Sequence, residues 1–438
     1  MTFPAFRASH PFLSHSQTSK GAGTDRGRRR FLLGAPALAG ALALAPRATL
    51  AQSWRGDGWS ATWGCAPAGP PPAASTTSFS GQTVRMIVRT SIGGNRIRVR
   101  LTNEMGSAPL TIGSAQVGLR SSGQAVVAGS NHPLTFGGRS AITIQPGSPA
   151  LSDPVYFQVA PFSDLAISLY FPGNAPGTTI HRDSWQTNYV STAGNFAANT
   201  TFTISRSFAS WPFLSEVDVD GGAPCVVAIG DSITDGQGST GNQNRRWPDY
   251  LARRIQAELG TAGRMGVVNR GIAGNRLLLD DPNALLAGRD VLERFDRDVL
   301  ATPGIRAMIV AIGINDIVYA SGTALSEMRD DLIAGYRQLI ARAHARGIPV
   351  LGATLPPMAG FVYYTAAREA VRQSTNSWLR SANEFDALID WDMVLRDPSS
   401  PTRIHPDYNS RDWLHPNDAG YQALAAAVPL GELSAMLV

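Results

Sequence analysis

Cysteine is scarce: the 438 residues contain two, Cys65 and Cys225. A small disulfide-stapled framework is therefore excluded. The pair either forms one bridge between two regions of the chain or remains two buried thiols, and spacing does not decide. Lysine is rarer still. Lys20 is the sole example, so Schiff-base and lysine-nucleophile chemistry are excluded beyond residue 51. Charge is low at 16% and unevenly spread. Residues 1–51 hold seven cations against one acid, Asp25, so the formal +5 of the whole becomes −1 for the remainder. A body this close to neutral offers no broad pull on nucleic acid or anionic lipid. There is no Gly-X-Y period, no heptad array and no apolar run of about 20 residues, which excludes collagen-like, coiled-coil and helical membrane-spanning classes. What remains is a chain 43% hydrophobic, ample for a packed core.

The cationic segment has an order of its own. Arg28-Arg29-Arg30-Phe31-Leu32-Leu33 leads into an apolar stretch ending near Ala45, and small residues lead to Thr49-Leu50-Ala51. A charged start, an apolar middle and a small-residue cleavage site make an export signal. The pattern resembles the bacterial twin-arginine type. The expectation is a signal over 1–51, the twin-arginine export machinery as partner, and a periplasmic or extracellular location. The apolar stretch is shorter than the roughly 20 residues a span requires, so no stable membrane anchor is expected.

Two textures follow. From 52 to 218 the pattern is of strands and turns. Val84, Met86 and Val88 alternate with Arg85 and Arg89; after Gly93-Gly94-Asn95, Ile97, Val99 and Leu101 alternate with Arg96, Arg98 and Arg100. This predicts a hairpin with a glycine-rich turn and a solvated arginine face. Further strands are expected at 110–112, 142–144, 155–159, 165–171 and 202–204. The result is an antiparallel β-sandwich or jelly-roll-like domain. Past the linker Asp220-Gly221-Gly222-Ala223-Pro224, short apolar runs at 225–229, 267–268, 307–312, 348–355 and 387–389 alternate with helical patterns. The helical stretches are 248–259, 285–300, a face through Leu332, Tyr336, Leu339, Ile340 and Ala343, a segment ending near Trp378, and one starting at Asn417. That predicts a three-layer α/β/α domain over 223–438 with a mostly parallel sheet. Its chemistry belongs at the carboxyl ends of the strands.

Those ends carry Gly230-Asp231-Ser232-Ile233-Thr234-Asp235-Gly236, Asn269-Arg270-Gly271-Ile272-Ala273-Gly274-Asn275, Gly313-Ile314-Asn315-Asp316 and, near the carboxyl terminus, Asp412-Trp413-Leu414-His415-Pro416. A serine on a tight turn needs a base, and the base an orienting acid. Asp412 and His415 can meet within one turn, and Pro416 biases His415 away from helix. His405 lacks an acid three residues earlier, since position 402 is Thr, and His344 lies on a helix beside Arg342 and Arg346. His415 is the candidate base. Each block alone also has a plain structural reading as a cap or turn. No G-x-S-x-G elbow, H-E-x-x-H or Walker A pattern is present, and Asp280-Asp281 has no clustered His or Cys, so neither a metal nor a cofactor is expected.

Together the four blocks resemble the SGNH (GDSL-type) hydrolase family over about 225–438. The upstream half resembles the β domain of a two-domain branch that includes XynE-like carbohydrate esterases; its cues are Trp63, the 91–101 segment and Leu-Thr-Phe-Gly-Gly at 134–138. The resemblance implies Ser232 as nucleophile, His415 as base and Asp412 as its orienting acid. It implies the Ser232 and Gly274 N–H groups and the Asn315 amide as oxyanion donors. Asp231, Asp235 and Asp316 are supporting residues, with Asp316 bracing a loop. The implied activity is removal of short acyl groups, acetyl above all, from polysaccharide. A lysophospholipase or arylesterase acting on lipid, and a glycan-binding or acyl-transferring relative, stand as alternatives. Phe361, Tyr363 and Tyr364 either wall the substrate pocket or simply pack.

Overall fold

The computed structural model describes residues 58–280 and 285–437; the proposed export signal lies outside them. From Trp59 to Asp220 the chain builds three short two-stranded sheets and two large antiparallel ones. One is ordered Trp59–Gly64, Leu214–Asp220, Gly94–Thr102, Pro149–Leu151, with Val155–Val159 also paired to Gly94–Thr102. The other is ordered Ile204–Phe208, Asn188–Ala193, Gln82–Arg89, Asp164–Phe171, Ser114–Ser122, Ala125–Val126. Side chains alternate across a strand, so every second residue points at the facing sheet. Ile97, Val99, Leu101 and Val217 from one sheet meet Val84, Met86, Leu165, Ile167 and Val117 from the other in one buried cluster. This is a sandwich.

Two expectations fail here. Gln82–Arg89 and Gly94–Thr102 are not a hairpin: they lie in different sheets, and the Gly93-Gly94 turn carries the chain between them. Nor is the arginine pattern one solvated face. Arg85 is fully buried, its guanidinium donating to Ser168 Oγ at 2.8 Å and to the carbonyls of Gln124, Thr200 and Asn199 at 2.8, 3.0 and 2.6 Å. The strand expected at 202–204 runs instead over Ile204–Phe208.

Beyond the linker, five strands form a sheet ordered Gly266–Gly271, Cys225–Gly230, Ile305–Ala311, Val350–Ala353, Ala387–Ile389, with every pairing parallel. Cys225, Val227 and Ile229 face one apolar layer and Val226 and Ala228 the other, which is why the strand is a continuous apolar run. The first layer holds Phe295, Leu332, Tyr336, Leu339 and Trp378 from helices; the second holds Trp247, Leu251, Ile255, Tyr421 and Leu424. The helix expected over 285–300 is broken into Leu285–Ala287, Val291–Phe295 and a π-turn at Asp296–Leu300. Among the described residues no helix is long and apolar enough to cross a membrane.

The two regions share interior. Ala61, from the first β-strand, sits in the same cluster as Cys225, Val227 and Val268, and its N–H donates to Pro303 O at 3.0 Å. Cys65 and Cys225 are both buried and both free, Cys65 within the sandwich and Cys225 under the parallel sheet. The bridge left open by the sequence is not formed.

Candidate active site

The sheet order turns back at the first strand: the chain leaves it for one side and later returns to the other. Crevices of open α/β sheets form at such a point, outside the strand carboxyl ends. Ser232 follows the first strand there. Asp231 caps a single helical turn, Ser232–Asp235, by accepting from Ile233 N at 3.0 Å, and Gly236 closes it at φ +106°. A side chain at Gly236 would strike Arg246. The turn leaves Ser232 Oγ pointing at His415, with Oγ to Nε2 at 2.8 Å. On the far side of the ring, Nδ1 lies 2.5 Å from Asp412 Oδ2. Ser232 and His415 are only 4% and 5% exposed, so their hydrogen bond is screened from bulk water, whereas the Asp412 carboxylate is partly exposed.

The Asp412–His415 loop is held from both ends. Arg411 and Trp413, neither a glycine, sit at φ +88° and +66°. Such backbone costs of order 1–3 kcal/mol per residue unless its surroundings enforce it. Asn409 Oδ1 enforces it, accepting from the N–H of both, at 3.0 and 2.9 Å. Asp412 Oδ1 accepts from Leu414 and His415 N–H at 3.0 and 2.9 Å. Burial pushes the Asp412 carboxyl up, but its hydrogen bond to His415 and these two amides outweigh that and hold it well below the usual carboxylate range. A charged carboxylate on Nδ1 fixes the tautomer whose bare Nε2 can accept the serine proton.

Gly274 and Asn315 arrive from the neighbouring strands. Gly274 sits at φ +84°, a conformation that requires glycine here. Asn315 lies in the first turn of Ile314–Tyr319, and its Nδ2 donates to Asn275 O at 3.0 Å. That fixes the amide against the Gly274 loop while its second N–H stays available. The three supporting carboxylates separate in role. Asp316 accepts from Leu277 and Leu278 N–H at 2.9 and 3.0 Å, bracing the loop, and burial lifts it to about 6. Asp231 caps the nucleophile turn, and burial lifts it to about 7. Asp235 accepts from Ala273 N at 2.9 Å and from His181 Nε2 at 3.0 Å.

Residues 228–423 match the model of the GDSL-like Lipase/Acylhydrolase family. This segment is a GDSL-like domain. The match is to a family of lipases and acylhydrolases and spans a little under half of the chain. The GDSL-like domain is similar in fold to solved esterases of low identity. An aryl esterase of M. smegmatis is 18% identical, with 49% of this chain and 100% of that one covered and a TM-score of 0.38. A carbohydrate acetylesterase of Sinorhizobium meliloti is 17% identical over 48% of this chain and 99% of that one, TM-score 0.37. A variant of an acetyl xylan esterase from Geobacillus stearothermophilus is 22% identical over 48% and 96%, TM-score 0.36. Likenesses this distant carry no argument about substrate. No curated protein matches the chain.

Two residues of the GDSL-like domain's surroundings escape sequence reasoning. Arg294, with its side chain wholly buried, donates to Gly230 O at 3.0 Å, Arg270 O at 2.7 Å and Asn275 Oδ1 at 2.9 Å. It ties the strand end before Ser232 to the Gly274 loop. His181 reaches the site from the sandwich. Neither has a local motif. The aromatic group after the fourth strand divides: Phe361 and Tyr364 pack on the core, whereas Tyr363 is half exposed and lies 5.9 Å from Tyr319. A cleft of about 640 Å³, lined by Gly93, Asn95, Gln158, Gln256 and Arg264 among others, contains none of the site residues.

Proposed function

We propose that the chain is an exported esterase that removes short acyl groups, acetyl above all, from polysaccharide through an acyl-enzyme on Ser232. The observation that carries this reading is the Ser232–His415–Asp412 relay standing at the point where the sheet order reverses. Ser232 Oγ attacks the acyl carbonyl while its proton passes to His415 Nε2. The oxyanion is met by the N–H groups of Ser232 and Gly274 and the Asn315 amide. One such donor is worth about 10²–10³ in turnover. His415 Nε2–H then protonates the departing alcohol oxygen, and water, deprotonated by the same nitrogen, releases the acid. Asp412 keeps Nδ1–H in place throughout.

The twin-arginine-like leader supports an extracellular polymer as substrate and the twin-arginine machinery as partner; nucleic acid and a membrane anchor are not part of this reading. Exposed Tyr319, on the same short helix as Asn315, with Tyr363 beside it, supports a flat ring in the alcohol position. The test is hydrolysis of p-nitrophenyl esters from C2 to C12 by the mature protein, with Ser232→Ala alongside. The expected outcome is a peak at C2–C4 and a loss of at least about 10³-fold in the variant. A peak at C8 or beyond assigns the site to lipid esters. No serine-dependent rate at any length overturns the hydrolase reading in favour of binding or acyl transfer.

A further inference from the structure

His181 is the one histidine of the sandwich that enters the site's hydrogen-bond network. It lies on the short strand Ile180–His181, paired with Trp211–Pro212, and its ring is 3% exposed under the Trp211 indole at 5.5 Å. Both ring nitrogens are engaged: Nδ1 with Ala66 O and Nε2 with Asp235 Oδ1, each at 3.0 Å. A carbonyl and a carboxylate are both acceptors, so both ring nitrogens must carry hydrogen. This pairing favours the imidazolium form. The other oxygen of Asp235 accepts from Ala273 N at 2.9 Å, and Ala273 supplies the carbonyl half of the peptide whose N–H is Gly274's. Asp235 is also the last residue of the turn that Ser232 begins.

Resting on the esterase reading above, we propose that protonated His181 is a positioning residue: through Asp235 it holds the Ala273–Gly274 peptide where its N–H meets the oxyanion, so the sandwich completes the catalytic site. Asp235 cannot be held as well without it. Its carboxylate is 1% exposed, and His181 is its only side-chain hydrogen-bond partner among the described residues. Losing the imidazolium leaves that buried charge short of a partner and free to rotate off Ala273.

The geometry gives a sign with pH. Burial alone would push His181 down, but the charge and hydrogen bond of Asp235, the Ala66 carbonyl and the more distant Asp183 override it and raise the ring above its ordinary value. Arg246, paired with Asp249 at the start of Trp247–Leu259, is the cation facing Asp235; Cys65 and Tyr421 face it as neutral groups. The positioning is therefore present below the raised His181 value. It is lost as pH rises through that value, giving a fall in turnover on the alkaline limb of the profile.

The test is kcat, KM and pH profile on p-nitrophenyl acetate for the wild type, His181→Gln and Asp235→Asn, with the rate of Ser232 labelling by a fluorophosphonate as a second readout. The fluorophosphonate rate reads the oxyanion site without depending on the natural ester. For His181→Gln the expected result is a fall in kcat and in labelling of about 10-fold or more, with KM nearly unchanged and the alkaline limb gone. For Asp235→Asn, which keeps an acceptor for Ala273 but removes the charge that holds the proton on His181, the alkaline limb moves to lower pH. His132→Gln, elsewhere in the sandwich, leaves all readouts unchanged. Wild-type kcat and an unmoved alkaline limb in a folded His181→Gln overturn the proposal. Should that variant fail to fold, an unmoved limb in Asp235→Asn overturns it equally. A wild type that neither hydrolyses esters nor labels at Ser232 refutes the esterase reading instead.

Discussion

Asp231 sits one position before the nucleophile and caps its turn, yet burial lifts its carboxyl from the ordinary carboxylate range to about 7. The folded state binds a proton there that the unfolded chain releases near pH 4. Stability is therefore lost as pH rises from about 4 to about 7. Asn caps a helix as well as Asp, so Asp231→Asn removes the burden and keeps the cap. Thermal melts are expected to coincide at pH 4 and to favour the variant by several degrees at pH 8; equal melting temperatures at pH 8 contradict this. Ser232, Gly274 and Asn315 could be placed in the sequence because each follows a strand whose hydropathy marks its end, and Asp412 and His415 because they stand three residues apart ahead of the last helix; the roles came from the family resemblance. His181 and Arg294 could not be placed in this way. Their partners lie 54 and 64 residues away at Asp235 and Gly230, and only the fold brings them together.

At the scale of elements, alternation in Gln82–Arg89 was read correctly as strand and wrongly as half-solvated. Period two says which residues share a face, not what covers that face. Here the polar face is covered by the Gln124 and Asn199–Thr200 loops, whose carbonyls take the Arg85 guanidinium, and burial lowers that group to about 10. Replacing it by an isosteric apolar chain leaves those carbonyls without donors. Arg85→Met should cost about 2–4 kcal/mol by urea unfolding. Arg96→Met, on a strand where the guanidinium is more than a third exposed and pairs with Asp220, should cost under about 1 kcal/mol. Comparable losses in the two variants contradict the assignment of Arg85 as an interior anchor. The same limit explains the missed sheet exchange: the Gly93-Gly94 turn signal is real, but a turn does not state whether the strands it joins pair.

At the scale of the whole molecule, the sandwich and the α/β layer are joined by more than a linker. Ala61 is part of the parallel sheet's packing layer. Buried Arg270, on that sheet, donates to Cys65 O and Ser215 O at 2.5 and 3.0 Å and forms an ion pair with buried Glu216 of the sandwich. The hydropathy pattern identified the two textures because each has its own period. It was silent on their shared interior because the groups that join them, Arg270, Glu216 and His181, are charged residues that a pattern assigns to the surface.

The two free thiols, one on either side of that shared interior, make the protein a reporter of its own opening. Burial raises both sulfhydryls far above the ordinary thiol range, so neither offers a thiolate to an alkylating reagent or an oxidant in the native state. Incubated with a maleimide under native conditions, the chain should take up label only as fast as it unfolds, and Cys65 and Cys225 should do so at one common rate. A Cys65 that labels much faster than Cys225 would mean that the sandwich opens alone. With no cross-link to form or break, the melting temperature should be the same with and without dithiothreitol. The chain can therefore reach its native state in a reducing cell interior, without a folding compartment that supplies oxidant.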